Sequence, residues 1–465
     1  MRTIFFSLST SAVYRNLFFF PKSVYGRLRE ILKNRDDSRV IFLLPVEHRE
    51  KYPEFIKECA ELGNKCAVEF VKVSYPKTVL EKLFFFFYSY LIYTSTTKML
   101  ATMGLRPDEP PAGGMRFLAP FKWIIANTFG RSKFVKNKIV PLLYIKIFKE
   151  KSFGALLEKY RPELVFAPHV YGHFDTRLLS ECKTRGIKTI GMAAGWDHLD
   201  KYFLPFRPDV LLAQSDHVKE KAIEYQEYDP TIIKMVGYPH FDFIVDERYK
   251  MDRGELLESL KLPKDAKVLL YISGSAYCPD EPDVIETLIR WIEEGRLGKN
   301  LYLVIRPYLG GRGADRDFDE KKFEKFREHP LVRFYTRDSW GDLDKSIYFI
   351  NILRHSNAII SVFTTAFLEA AVFDVPILGY TFDGYTTRPF YRSIRRFATS
   401  EHFKGVTATG GLKLAKNFGE LARYLKEYLD NPKLDSDKRD FLRKKLLYKL
   451  DGRASERIIS YLVKS

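Results

Sequence analysis

Short apolar runs alternate with longer amphipathic segments along most of the chain, and this alternation restricts the possible fold more than any other feature. The first seven runs lie at residues 3–8, 39–45, 65–74, 163–169, 188–195, 209–215 and 232–239. Amphipathic segments such as 54–62 and 174–185 lie between most of them. The pattern is typical of a parallel sheet covered by helices, and it predicts an α/β fold.

A polar stretch at residues 246–266 interrupts the alternation, which then restarts. Five further runs follow at 267–277, 300–311, 331–337, 358–365 and 374–381. The 465 residues exceed the ~250–300 at which a single core stops growing. We therefore predict two Rossmann-like domains facing across a cleft, the N-terminal one at 1–245 and the C-terminal one at 246–450. A C-terminal helix is predicted at 451–465, and a helical insertion in the first domain at 78–159.

The predicted insertion is both basic and aromatic. The formal net charge of the chain is +17, and residues 77–149 hold 12 Lys and Arg against 3 Asp and Glu, a local balance of +9. Basic residues interleaved with aromatic ones suit a membrane surface or a nucleic acid, although a solvated helical face has the same composition. Because no nucleic-acid-binding motif accompanies the charge, we predict an anionic membrane surface as the partner.

The sequence predicts no membrane-spanning helix and no cleavable signal. The longest apolar run, at 83–93, has 11 residues, whereas a bilayer span needs roughly 20. The four cysteines show no CxxC spacing, which favours a reduced compartment. We predict a cytoplasmic protein that is peripheral at the inner face of the cell membrane.

Polar residues follow the first two strands of the second domain. Ser273, Gly274 and Ser275 come directly after the first strand, where small residues allow a phosphate to approach the backbone, although a plain tight turn has the same composition. Arg306 ends the next strand, where its guanidinium either binds a phosphate or pairs with a nearby acid. This edge of a parallel sheet is where ligands bind in such folds.

The segment SVFTTAFLEAAVFDVPILG, at 361–379, places hydroxyls and one carboxylate within a run that otherwise reads as core. Ser361, Thr364 and Thr365 follow a buried strand, and a helix start there would offer free amides to an anion. Glu369 lies one turn beyond Thr365 among Ala and Phe residues. Because a buried carboxylate without a partner is costly, a sugar or ribose diol is a natural ligand for it.

In the first domain, the segment APHVYGHFDTR at 167–177 closes a strand with His169, His173 and Asp175. Each is a candidate for the base that takes a proton from an acceptor hydroxyl, and Asp197 is a further candidate. A purely structural role for the two histidines is the competing interpretation. The HxxxH spacing also suggests zinc, but no third ligand follows at a convincing spacing, so we predict no metal.

Segment 361–379 resembles the donor site of GT-B glycosyltransferases, especially those of surface-polysaccharide synthesis and the CDP-glycerol glycerophosphotransferases. AAGWDHLDKY at 193–202, VGYPHFDFI at 236–244 and LDGRASERIISYL at 450–462 fit the same families. The resemblance implies that Thr364 and Thr365 contact donor phosphates and that Glu369 contacts the ribose. The chain departs from the family at Tyr308, where a His is usual, which leaves Arg306 to supply that phosphate contact.

The resemblance implies a glycosyltransferase that moves a sugar, or glycerol phosphate, from a nucleotide-activated donor to a lipid-linked or glycan acceptor. No cofactor is expected beyond the nucleotide-activated donor, which is a substrate. A UDP-sugar 2-epimerase would share the two-domain fold and the donor site. A non-catalytic protein that binds a membrane surface or nucleic acid on the same scaffold is the other alternative.

Overall fold

The computed structural model describes residues 1–100, 118–308, 314–335 and 342–463. The middle of the predicted insertion (101–117), the end of the predicted strand 331–337, Gly310, Gly311 and the last two residues lie outside these ranges. The chain forms two units. Unit 1 comprises Met1–Tyr93, Pro120–Val245 and Tyr448–Ser465, and unit 2 comprises Thr94–Ala119 and Asp246–Leu447.

All twelve predicted runs contain a strand, and one additional short strand was not predicted. The strands are, in chain order, β1 (Arg2–Ser7), β2 (Ser38–Pro45), β3 (Cys66–Val71), β4 (Leu164–Ala167), β5 (Lys188–Met192), β6 (Val210–Ala213), β7 (Ile233–Met235), β8 (Lys267–Ile272), β9 (Leu301–Arg306), β10 (Val332–Phe334), β11 (Ala358–Ser361), β12 (Ile377–Tyr380) and β13 (Lys413–Ala415).

The α-helices connect and cover these strands. They are α1 (Ser11–Tyr14), α2 (Val24–Asn34), α3 (Pro53–Glu61), α4 (Val79–Ser89), α5 (Ser95–Leu100), α6 (Ala119–Asn127), α7 (Val140–Ile147), α8 (Gly154–Tyr160), α9 (His173–Thr184), α10 (Asp216–Gln226), α11 (Phe241–Ile244), α12 (Arg253–Ser259), α13 (Glu281–Glu293), α14 (Ala314–Lys321), α15 (Leu343–His355), α16 (Ala366–Ala371), α17 (Glu401–Thr407), α18 (Phe418–Asp430), α19 (Ser436–Leu447) and α20 (Ala454–Val463).

Unit 1 contains a seven-stranded parallel sheet in the order β3-β2-β1-β4-β5-β6-β7. Its central strands are buried on both faces, so their apolar residues are continuous in sequence. Ile4 and Phe6 of β1 enter one core, whereas Phe5 between them enters the core on the opposite face. This division follows from the two-residue repeat of a strand.

Helix α20 belongs to unit 1. Its residues Ile458, Ile459 and Leu462 are part of the core that also holds Phe6. The Asp242 carboxylate accepts hydrogen bonds from the first two backbone N–H groups of this helix, at 2.9 and 2.8 Å. These contacts join residues more than 210 positions apart in the chain.

Unit 2 contains a six-stranded parallel sheet in the order β10-β9-β8-β11-β12-β13. Short helix α5, which lies within the insertion predicted for the N-terminal domain, packs in this unit instead. The Ser95 hydroxyl donates to the carbonyl of Thr399, and the Thr96 hydroxyl accepts a bond from the Glu401 backbone N–H. The predicted insertion is therefore divided, since α4, α7 and all of α6 after Ala119 belong to unit 1.

Candidate functional site

Unit 1 has a pocket at the carboxyl edge of its sheet. The strand order reverses between β1 and β4, and such a switch point is where ligands bind in doubly wound sheets. The pocket has a volume of about 400 Å³. Its lining residues are Ser9, Thr10, Pro45, Glu47, His48, Val73, Tyr75, His169, Gly172, His173 and Phe174.

His173 is the first residue of α9 and lies at the pocket wall. Its Nε2 is 2.8 Å from the carbonyl oxygen of Ser74, and its ring stacks on Tyr75 with centroids 5.0 Å apart. Because a carbonyl only accepts, Nε2 carries the proton of the neutral ring, and Nδ1 keeps a lone pair. Burial lowers the pKa of His173, and the Arg177 charge adds to this effect. The ring is thus a neutral acceptor at pH 7.

His169 follows β4 and lines the same pocket. Burial lowers its pKa to about 3, and the nearby His198 and Lys201 add to the effect. Its Nδ1 is buried and has no hydrogen-bond partner among the described residues. Gly172 packs against this ring, because a Cβ at Gly172 would lie 2.6 Å from Nδ1. The glycine is therefore required by the imidazole beside it.

Asp175 does not line the pocket. Its side chain is fully buried in the first turn of α9, and neither carboxylate oxygen has a hydrogen bond of good geometry among the described residues. Burial raises its pKa to about 7, although the nearby Ser9 and Ser7 hydroxyls oppose the shift. An acceptor hydroxyl cannot reach this carboxyl in the present conformation, so a role as the contacting base is not supported.

Asp197 is held in an ion pair. Its carboxylate is 2.6 Å from Lys201 Nζ, and His198 Nε2 lies 3.8 Å away. The His198 ring is in turn 5.5 Å from the His169 ring, measured between centroids. Asp197 lies on the loop that follows β5 and does not line the pocket. Lys201 would compete with a substrate proton for the lone pairs of the Asp197 carboxylate.

Most of the pocket residues were not predicted from the sequence, among them Glu47, His48 and Tyr75. Glu47 and His48 follow β2, and Tyr75 follows β3. The rule that identified His169, namely polar residues directly after a buried strand, applies equally to the segment VEH at 46–48. Among the described residues, no group of three or more His, Cys, Asp or Glu side chains is placed to hold a metal ion.

Unit 2 has its own switch point between β8 and β11, where the residues at 273–275 and 361–365 meet. The Ser273 hydroxyl accepts a bond from the Tyr308 backbone N–H at 2.9 Å and is almost fully buried. A Cβ on Gly274 would lie 2.6 Å from Val362 Cγ2. Ser273 and Gly274 therefore allow the two loops to pack closely, and neither residue presents a free polar group to a ligand.

A buried ion pair lies beneath the loop that follows β8. Lys322 Nζ is 2.5 Å from Glu281 Oε2, and it donates to the carbonyl of Gly274 at 3.1 Å. Glu281 Oε1 accepts from the Gly274 N–H at 3.0 Å and from the Tyr271 hydroxyl at 2.9 Å. Both charged side chains are almost completely inaccessible. The pair thus binds both the backbone N–H and the carbonyl of Gly274 and fixes the loop.

The turn before α16 satisfies most of its own polar groups. Ser361 is fully buried, donates to the Ile272 carbonyl at 3.2 Å and contacts the Thr364 hydroxyl. The Thr364 hydroxyl accepts from the Ala366 N–H, and the next two amides bond to the carbonyls of residues 364 and 365. The first amides of α16 are therefore occupied rather than free as expected. Thr365 is exposed and makes no capping bond.

Glu369 is the half-buried carboxylate of α16. Within the described parts of the chain, no side chain or backbone group donates a hydrogen bond to its carboxylate, and no cation pairs with it. Helix α16 has one acidic residue, and the rest of its side chains are buried and apolar. The Glu369 carboxylate is thus a half-buried polar group without a protein partner among the described residues.

The remaining candidates of unit 2 differ in exposure and in the contacts that they make. Tyr308 is 41% exposed, so its ring is accessible beside the β8 loop. The Arg306 guanidinium stacks on the Phe349 ring, 3.9 Å from its centroid. Ser275 donates to an Asp319 oxygen at 2.9 Å. Tyr308 and Thr365 are thus exposed, whereas Arg306, Thr364 and Glu369 are half-buried.

Comparison with known proteins gives sequence relatives and a fold. No protein-family profile matches the chain. It is 25% identical over 343 residues to the teichoic acid ribitol-phosphate polymerase TarL of Staphylococcus aureus, covering 69% of this chain and 50% of TarL. TarK, a polymerase of the same description and organism, is 26% identical over 318 residues, covering 65% of this chain and 53% of TarK. The chain spans about half the length of these curated relatives.

The solved structures are similar in fold. UDP-GlcNAc 2-epimerase from Neisseria meningitidis bound to UDP-GlcNAc has a TM-score of 0.52 at 11% identity, with all of both chains covered. The predicted fold class, α/β with two Rossmann-like domains of the GT-B kind, is confirmed by the two parallel sheets and by this likeness. The predicted resemblance to GT-B proteins of surface-polymer synthesis is confirmed by the similarity to the two polymerases.

Proposed function

We propose that the chain is a GT-B transferase that moves a polyol phosphate or a sugar from a nucleotide-activated donor to a hydroxyl of a glycan or lipid-linked acceptor. The similarity to two ribitol-phosphate polymerases favours a CDP-activated polyol over a nucleotide-sugar. The observation that carries the proposal is the neutral His173 at the wall of the unit 1 pocket. Transfer to a hydroxyl needs a base at such a position.

In this proposal the acceptor hydroxyl loses its proton to Nδ1 of His173. For a CDP-polyol donor, the acceptor oxygen attacks the phosphorus that carries the polyol. A new O–P bond forms, the bridging P–O bond to the nucleotide breaks, and CMP leaves with the bond pair. Ser74 holds Nε2–H, so it fixes the tautomer that the base requires.

The proposed donor contacts lie in unit 2. Arg306, Thr364 and Thr365 would hold the diphosphate, and Glu369 would accept hydrogen bonds from the ribose hydroxyls. The absence of any partner for the Glu369 carboxylate in the described residues supports this role. Glu369→Ala should therefore weaken nucleotide binding about tenfold or more in calorimetry, because a hydrogen bond to a charged group is lost. Unchanged affinity would remove Glu369 from the donor site.

The histidine assignment has a direct test. His173→Ala should reduce the transfer rate ~100-fold or more, the usual contribution of a general base. His329→Ala is the matched control, because His329 follows no strand end and pairs with Glu293 at the surface of unit 2. Equal activity of the two variants would exclude His173 as the base, and His169→Ala would then be examined next.

The proposed membrane contact lies on α4, α6 and α7 of unit 1. Large apolar side chains are exposed there, including Leu83, Trp123 and Leu142. Lys133 and Lys138 are exposed nearby, but Lys136 is buried and bonded to Glu227 at 3.0 Å. No helix of the described residues is long and apolar enough to span a bilayer. An exposed apolar surface flanked by lysines supports peripheral binding to anionic lipid.

The experiment that tests the function is a donor panel with product analysis. The full chain is incubated with anionic vesicles, a glycan acceptor and CDP-ribitol, CDP-glycerol or UDP-sugars. Release of CMP supports polyol-phosphate transfer, and release of UDP supports sugar transfer. Conversion of UDP-GlcNAc to its epimer without acceptor would instead assign the epimerase activity of the structural neighbour to this chain. No turnover of any donor would favour a non-catalytic binding protein.

A further inference from the structure

The exposed aromatic side chains of unit 2 are concentrated in one short segment. Among the described residues of 246–447, five large apolar side chains are exposed, and three of them lie within 385–391. These are Tyr385, Phe390 and Tyr391, which are 55%, 53% and 40% exposed. Single exposed apolar residues are ordinary on a protein surface, whereas a cluster of them indicates an interaction surface. The segment follows β12, and we call residues 384–396 the aromatic loop.

The aromatic loop is held to the body of unit 2 by three aspartates. The Asp280 carboxylate accepts two hydrogen bonds from the Arg388 guanidinium, at 2.7 and 2.8 Å. Asp283 and Asp383 accept from backbone N–H groups near the two ends of the loop, at 3.0 and 2.9 Å. Arg395 closes the loop by donating to the Arg388 carbonyl at 2.6 Å. The rings are therefore exposed on a well-anchored backbone.

The aromatic loop is also basic. Residues 384–396 contain four Arg and no Asp or Glu. One of the four pairs with Asp280, and another is buried. The other two are Arg392, which is half-buried, and Arg395, which is exposed, and no carboxylate among the described residues pairs with either. The Arg392 guanidinium lies 5.6 Å from the centroid of the Tyr391 ring. Positive charge without an acidic partner thus lies beside the exposed rings.

Exposed rings beside positive charge fit two anionic partners, a bilayer with anionic lipid or a single-stranded nucleic acid. The bilayer is favoured by the kind of ring and by the rest of the chain. The Phe390 ring has no polar atom and suits the apolar boundary, whereas tyrosines suit the level of the lipid headgroups. Unit 1 also exposes apolar side chains beside lysines, and no nucleic-acid-binding motif accompanies the charge of the chain.

We propose that the aromatic loop is a second lipid-contact surface of this protein, which binds the headgroup region of a bilayer containing anionic lipid. Phe390 enters the apolar boundary, and Tyr385 and Tyr391 lie at the level of the headgroups. Arg392 and Arg395 contact lipid phosphates. The surface belongs to unit 2 alone, so it depends neither on the transferase activity nor on the contact proposed for α4, α6 and α7.

The first test places a probe on the loop of the full chain. The four native cysteines are buried, so a cysteine introduced as Phe390→Cys reacts selectively with a polarity-sensitive nitrobenzoxadiazole dye. We expect the dye fluorescence to rise and shift to the blue with phosphatidylglycerol–phosphatidylcholine vesicles, and to stay unchanged with phosphatidylcholine alone. Phe441→Cys is the matched control, because Phe441 on α19 of unit 2 is also 53% exposed and lies outside the loop. Its dye should not respond.

The second test removes the charge of the loop and leaves its rings. Each basic residue near an anionic surface strengthens binding about fivefold, so Arg392→Gln with Arg395→Gln should weaken vesicle co-sedimentation roughly 25-fold. Lys264→Gln with Lys299→Gln is the control for net charge. These exposed lysines precede β8 and β9, at the opposite edge of the same sheet.

Several outcomes would overturn the proposal. Equal weakening in the two double variants would assign the effect to net charge. No dye response at residue 390, or equal responses at 390 and 441, would exclude a lipid contact of the loop. A response to a single-stranded oligonucleotide but not to vesicles would assign the loop to nucleic acid. Neither test uses a donor or measures turnover, so a failure here is distinguishable from a failure of the transferase assignment.

Discussion

Asp175→Asn should change the pH dependence of the stability of unit 1 in a defined direction. The wild-type carboxyl is fully buried, and burial raises its pKa to about 7. In the unfolded chain an aspartate ionises near pH ~3.9. Between these two values the native state binds a proton that the unfolded state has lost. The wild type therefore loses stability as the pH rises through this window, and asparagine does not.

The magnitude follows from the shift of about three pKa units. Each unit corresponds to about 1.36 kcal/mol, so the full window is worth roughly 4 kcal/mol. Between about pH 5 and pH 8, the free energy of unfolding of the Asn variant should rise by about 2–3 kcal/mol relative to the wild type. A constant difference caused by the amide group itself does not affect this slope.

The assay is urea unfolding of both proteins, followed by tryptophan fluorescence at several pH values across that range. Asp216→Asn is the control, because Asp216 also lies in the first turn of a helix of unit 1 but is exposed. Its variant should show a nearly constant offset. A difference between Asp175→Asn and wild type that does not change with pH would mean that Asp175 ionises normally, and the inference from its burial would be refuted.

Three further results are expected. Gly172→Ala should displace the His169 ring and reduce transfer up to ~100-fold in a steady-state assay, while its melting temperature stays close to that of wild type; equal activity would contradict the contact. Lys322→Met should lower the free energy of unfolding by roughly 3–5 kcal/mol in urea, and adding Glu281→Gln should restore most of it, because the unpaired buried charge is removed; no restoration would mean that the pair is not coupled. Trp123→Glu should reduce co-sedimentation with anionic vesicles, whereas Trp291→Phe, a buried site in unit 2, should not; equal losses would exclude the α6 surface.

The sequence predicted the longer strands of the two sheets better than it predicted the short edge strand β13 and the position of helix α5. Continuous apolar runs mark buried parallel strands, and all twelve predicted runs contain a strand. Strand β13 was missed because its three residues, Lys413–Ala415, contain a lysine and are too short for a visible pattern. Helix α5 was assigned to the wrong unit, since its attachment depends on hydrogen bonds to residues about 300 positions away.

The candidate site was predicted in position but only partly in function. Strand ends located the loops of both switch points, because parallel strands all end at one edge. The sequence did not distinguish Ser361, whose buried hydroxyl donates a hydrogen bond to the Ile272 carbonyl, from Thr365, which is exposed. Nor did it reveal that the Asp175 side chain is buried in the core. Adjacent side chains in the first turn of a helix point in different directions, so one can line a pocket while the next is buried. Such differences depend on side-chain direction in the folded chain.

The attachment of α20 to unit 1 has a consequence for how the protein forms in the cell. The core that holds Ile4 and Phe6 is completed by Ile458 and Leu462. A ribosome makes all of Asp246–Leu447 before it makes this helix, so we expect the core of nascent unit 1 to lack these apolar side chains throughout that time. A chaperone that recognises apolar surface should therefore associate with the nascent chain until synthesis passes Leu462, and a fragment ending at Val245 should be prone to aggregation.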